Sequence, residues 1–109
     1  MLREIKFRDF CFDTNKMRYF DLDHYDKNEH DCFGTIMQFT GLVDKNGVEI
    51  YENDLISDGH HIGKVFYNSD SAQFQVDFSP YDDSPQEMSG GEICWMTVAG
   101  NIHEHKHLL

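Results

Sequence analysis

Cations, cysteines, prolines and long apolar runs are all scarce in this chain, and each scarcity excludes a class of protein. Nine lysines and arginines stand against twenty aspartates and glutamates, for a formal net charge of −11 and an isoelectric point near 4.8. So acidic a surface repels the phosphate backbone, so direct nucleic-acid binding is not expected. No apolar run is long enough to span a bilayer. The opening residues 1–10 alternate charged and apolar side chains without the apolar core of a signal peptide, so a cytoplasmic location is expected. The three cysteines, Cys11, Cys32 and Cys94, are odd in number and widely spaced, with no CxxC pair. That excludes a zinc ribbon or dithiol redox motif and leaves reduced thiols. Both prolines fall within residues 79–91, and no repeat or low-complexity tract is present.

What is present is aromatic. Nine Phe and five Tyr, 14% aromatics with Trp95 included, belong to a chain that folds. Its 109 residues suit a single domain spanning 1–109, able to bury roughly 65% of its extended surface without metal or disulfide.

Seven histidines raise the question of metal binding. His103, His105 and His107 alternate and would share one face of a strand, whereas on a helix only His103 and His107 would meet. No Cys or carboxylate at zinc spacing accompanies them, so a solvated tail is the plainer reading. No metal or cofactor is expected. Asp44-Lys45-Asn46-Gly47 resembles a calcium loop only briefly, because the sixth position is Glu49 rather than glycine. Asp21-Leu22-Asp23 fails in the same way, with Tyr25 and Asp26 at the fifth and sixth positions. The acid pairs Asp82-Asp83 and Asp21/Asp23 sit in polar, turn-like settings and read as solvated charge. No catalytic constellation is visible, and no enzyme is expected.

Strand periodicity dominates the chain. Ile5 and Phe7 alternate with Lys6 and Arg8, and then Phe10 and Phe12 resume one residue out of phase, which predicts a bulge or bend near Asp9. The cations Lys6 and Arg8 would share a face. A turn at 13–16 and a strand through Met17, Tyr19 and Leu22 complete an N-terminal hairpin, followed by a loop over 23–31. Residues 37–42 and 48–51 flank Asn46-Gly47, the tight-turn signature, and Gly41 marks a bulge or a close backbone approach. A second turn at 51–54 places Asn53 in the left-handed region. Strands follow at 54–57 and 64–67 around a turn holding His60 and His61. In the strand at 72–78, Ala72, Phe74, Val76 and Phe78 point inward, and Gln73, Gln75 and Asp77 outward. A mobile polar loop over 79–91 precedes a last strand at 93–98, ended by Gly100. Residues 101–109 form a helical turn or an extended tail. Short strands joined by Gly/Asn turns predict an all-β fold, a small antiparallel SH3-type barrel with an N-terminal β-hairpin.

Three segments, REIKFRDF (3–10), MQFTGLVDKNGVEIYENDLI (37–56) and VAGNIHE (98–104), together resemble the YopX family. The central block is the specific one. Phe10 stands where the family usually has Trp, Cys11 where a polar residue is usual, and Asn53 replaces the Gly of an E-G-D turn. Lys106 and its neighbouring histidines replace a Pro-containing tail. The resemblance implies a β-rich SH3-type barrel encoded by a bacteriophage or integrated prophage, with no enzyme activity. In that reading Gly41, Gly47, Asn53 and Gly100 serve backbone geometry, and Phe39, Leu42, Ile50 and Tyr51 serve packing.

The leading expectation is a non-catalytic interaction module in the host cytoplasm. It would be a homo-oligomer or bind an unknown host or phage protein, with no membrane partner. Tyr19, Tyr51, Tyr67, Tyr81 and Trp95 are the candidate contacts, because Tyr and Trp supply most interface anchors, although each could simply pack. A second reading is an acidic, nucleic-acid-mimicking decoy using Glu52, Asp54, Asp58, Asp70, Asp77, Asp82, Asp83 and Glu87. A third, from a different class, is a metal-dependent hydrolase built on His60, His61 and His103.

Overall fold

Among the described residues the turn residues of the sequence separate nine short strands. The computed structural model describes residues 5–11, 14–21, 36–78, 86–88 and 95–105. They form β1 (Lys6–Cys11), β2 (Lys16–Asp21), β3 (Met37–Val43), β4 (Glu49–Tyr51), β5 (Asp54–Ser57), β6 (Ile62–Asn68), β7 (Gln73–Asp77), β8 (Gln86–Glu87) and β9 (Thr97–Asn101). Every pairing is antiparallel, and the fold is all-β, in two sheets ordered β2-β1-β3-β4 and β8-β7-β6-β5-β9. The 23–31 loop, Cys32, Cys94, Tyr81, Asp82, Asp83 and His107 lie outside the described residues.

The expected turns form where φ preferences put them. Gly41 (φ 89°) sits within the register shift between β3 and β4, and Gly47 (φ 81°) and Asn53 (φ 66°) turn the chain before β4 and β5. Asn15 (φ 56°) closes the N-terminal hairpin. The core gathers Ile50, Ile56, Val65, Val76, Phe78 and Met88, with Leu42, Phe74, Met96 and Val98 packed against it.

Several expectations are corrected. No bulge interrupts β1 against β2; the register runs unbroken from Lys6↔Asp21 to Cys11↔Lys16. The slip in the apolar pattern has a different origin. Arg8, Asp9, Phe10 and Cys11 are all buried in succession, because both charges are neutralised inside the fold. Cys11 is therefore shielded from solvent. Ala72 does not face the core. It lies exposed in the β6–β7 turn at φ 53°, and β7 begins one residue later. Gln75 is buried rather than outward, satisfied by the Asn68 amide at 2.9 Å and the Ser71 hydroxyl at 3.4 Å. Within the expected 79–91 loop, Gln86–Glu87 form β8 against β7 and Met88 enters the core, while residues 79–85 and 89–91 lie outside the described residues.

The last strand lies further along than residues 93–98, because β5 offers its edge to Thr97–Asn101. Gly100 falls inside that strand instead of ending it. Beyond β9 the chain makes a turn in which the Asn101 side chain accepts the His103 and Glu104 N–H groups.

Two local features have measurable consequences. A Cβ on Gly100 would stand 2.5 Å from the His105 ring, whose Nδ1 accepts the Asn101 N–H at 3.1 Å. Gly100→Ala is expected to displace that ring and cost about 1–3 kcal/mol, read as a lower urea midpoint. At position 72 the left-handed backbone disfavours a Cβ. Ala72→Gly is expected to raise stability by up to about 1 kcal/mol in the same assay.

Candidate functional site

Alternation along β1 puts Lys6, Arg8 and Phe10 on one face, and the hairpin register sets Tyr19 opposite Arg8. The turn at Glu52-Asn53 brings Tyr51 and Asp54 back under the same face. There they meet β9 to enclose a cleft of about 310 Å³ lined by Arg8, Tyr19, Val48, Glu49, Tyr51, Asp54, Val98, Gly100 and Asn101. A second hollow of about 270 Å³ adjoins it, sharing Tyr19 and Tyr51 and adding Lys6, Phe20 and Asp21.

The cleft is built around a buried ion pair. Arg8 Nη2 lies 2.7 Å from Asp54 Oδ1, and the two side chains are 4% and 2% exposed. The same nitrogen donates to the Glu52 carbonyl at 2.9 Å, and Asp54 Oδ2 accepts the Tyr51 N–H at 2.8 Å. Burial pushes the Asp54 carboxyl above its usual range, against the pull of Arg8 and the Tyr51 N–H. The guanidinium lies over the Tyr51 ring, 4.9 Å from its centroid.

At the rim, Lys6 pairs with Glu49 and sits over the Phe39 ring. Burial, reinforced by the Glu49 charge, pushes the Tyr51 phenol up to about 12. It therefore stays protonated, a donor, across the physiological range. Tyr19 meets Tyr51 edge-on at 5.5 Å and is 62% exposed.

Asp44, rejected as a calcium ligand on spacing, has a structural task. Its Oδ1 accepts the Asn46 and Val48 N–H groups at 2.8 and 2.9 Å, and its Oδ2 accepts the Val98 N–H at 2.8 Å. Lys45 N–H donates to the Met96 carbonyl alongside. Together they tie the β3–β4 turn to β9, forming one wall of the cleft.

A model of the YopX family, described as YopX protein, matches residues 9–109. The chain belongs to the YopX family. Three solved chains match it. One is the crystal structure of protein EF1440 from Enterococcus faecalis, with a TM-score of 0.62 and 22% identity over 99% of each chain. At that identity the likeness speaks for the fold alone. No curated protein matches the sequence.

In this YopX-family chain the candidate contact residues separate. Tyr19 and Tyr51 come together at the cleft, but Tyr51 is only 3% exposed and serves as its floor. Tyr67, 46% exposed, packs on Phe74 in the five-stranded sheet; Trp95, 78% exposed, precedes β9. Neither lines the cleft.

The histidines are not brought together either. His60 and His61 cap a turn on Asp58 beyond Ser57, whereas His103 stacks on Phe10 beyond Asn101. Those are opposite ends of the β5–β9 ladder, about 10 Å apart at strand spacing. Among the described residues no three His, Cys, Asp or Glu side chains gather as a metal site, and no helix is long and apolar enough to cross a membrane. Asp54, counted among the surface carboxylates, is interior. Its burial and that of Arg8 had no signal in the pattern of either strand, whereas the Asp-x-Asn-Gly spelling of an Asx turn could have marked Asp44.

Proposed function

We propose that this YopX-family protein is a non-catalytic interaction module, encoded by a phage or prophage, acting in the bacterial cytoplasm. It associates with itself or with a protein partner through the face that carries Tyr19. One observation supports this reading above the others. Tyr19 stands largely exposed on β2, at the mouth of a cleft. An exposed aromatic ring at the mouth of a cleft is the kind of anchor through which proteins hold a partner.

The test joins analytical ultracentrifugation with capture of the tagged protein from host lysate at low and high salt. Tyr19→Ala removes an exposed ring, so the fold is expected to lose about 1 kcal/mol or less. Association is expected to weaken by about tenfold or more. A complex that survives high salt and responds to Tyr19→Ala supports the module. A strict monomer at high concentration that retains no partner overturns it. A basic partner released as salt rises would instead identify an acidic decoy.

A further inference from the structure

Arg8 lines the cleft, yet its Nε is enclosed without a hydrogen-bond partner. Among the described residues no other buried side-chain nitrogen or oxygen is left so. A buried cationic donor without an acceptor is costly, and where it borders a cleft it marks a place for an acceptor from outside.

The surroundings define that acceptor. The charged side chains that line the cleft and the hollow beside it, Lys6, Arg8, Asp21, Glu49 and Asp54, sum to −1, and Asp54 already balances Arg8. A carboxylate or phosphate at Nε would set a third negative charge beside Asp54 and Glu49 in a poorly solvated space. An uncharged carbonyl supplies the acceptor without that penalty. The phenols of Tyr19 and Tyr51 add polar contacts, and Val48 and Val98 form an apolar wall. The volume is at the lower end of ligand sites, suited to a short segment.

We propose that the cleft binds an uncharged peptide segment of the partner chain. Its backbone carbonyl accepts the Arg8 Nε–H, and an apolar side chain lies against Val48 and Val98. The guanidinium reaches the carbonyl by rocking slightly over the Tyr51 ring, since Nε is closed to solvent in the unliganded fold. This rests on the interaction-module reading and gives it a mode of recognition.

Nitrogen NMR of the labelled full chain tests it, because the Arg8 Nε–H signal reports the site directly. Titration with N-acetyl-leucine amide into the range of about 10 mM is expected to shift that signal and the Tyr19, Val48 and Val98 amides along one saturating curve. N-acetyl-leucine, the same body ending in a carboxylate, is expected to bind at least about tenfold more weakly at neutral pH. Val48→Trp, at an exposed rim position, is expected to abolish the saturable shift while leaving spectra elsewhere unchanged.

The absence of a saturable shift with either probe overturns the proposal. Tighter binding of the carboxylate also overturns it and makes the cleft an anion site. If association survives Val48→Trp at full strength, the cleft assignment falls and the module stands. If the unmodified protein associates with nothing, it is the module that falls.

Discussion

Asp54→Ala is expected to be the most damaging single substitution, lowering unfolding free energy by about 3–5 kcal/mol. The loss arises mainly from what stays behind: the Arg8 guanidinium, 4% exposed, would keep its charge with no counter-charge. The Tyr51 N–H would lose its acceptor as well. For a domain of this size the fall in Tm should be at least about 12 °C, and urea unfolding should show a lower midpoint at constant slope.

The double variant Arg8→Met/Asp54→Leu is the control. It should recover most of the lost stability, because burial already works against the Asp54 charge and two apolar side chains escape that cost. A single-variant loss below about 1 kcal/mol would mean that water reaches the pair and that it does not organise the cleft.

Asp44→Ala should rank second, at about 2–3 kcal/mol, since one carboxylate accepts three backbone N–H groups from two separate elements. Asp44 lies just beneath the surface, so water can replace part of what is lost. Asp44→Asn should retain part of the effect by keeping one acceptor oxygen.

The variant also predicts a pH dependence. Burial disfavours the Asp44 charge, but the N–H groups of Val98, Val48 and Asn46 outweigh it and hold the carboxyl below its ordinary value of 3.8. A carboxyl depressed in the folded state contributes stability that is complete above its unfolded value and is lost as pH falls through the folded value. The stability difference between the native protein and Asp44→Ala should therefore be constant near neutrality and shrink below pH 3.8. Through Asp54 the sign is reversed: its raised carboxyl favours the folded state in acid and loses that contribution as pH rises through the folded value. Urea unfolding of each variant across the acid range separates the two. A difference for Asp44→Ala that grows in acid would contradict the three-donor arrangement.

Much of the fold was legible because its determinants are local. Asn46-Gly47 and Asn53 mark positions where the backbone must take positive φ, and both turns form there. Strands β3, β4 and β5 begin and end within a residue of where alternation and turn chemistry put them. The final strand was misplaced because residues 93–98 are the more apolar, whereas Thr97–Asn101 are the residues that the β5 edge accepts. Trp95 is left in solvent as a result. Met88 was invisible as a core residue, since only the β7–β8 pairing carries it inward from a polar loop.

The candidate site was the least legible part. Arg8 and Asp54 each looked like ordinary surface charge on an alternating strand, and nothing near either one in sequence names the other. By itself the sequence determined the strand–turn alphabet, the all-β class and the family, because φ preference, side-chain alternation and a contiguous motif are properties of neighbouring residues. Only the tertiary structure decided which charges go inside and where a cleft opens. A buried ion needs its counter-ion within about 4 Å, and that proximity exists only once β1 has been laid across the turn leading into β5.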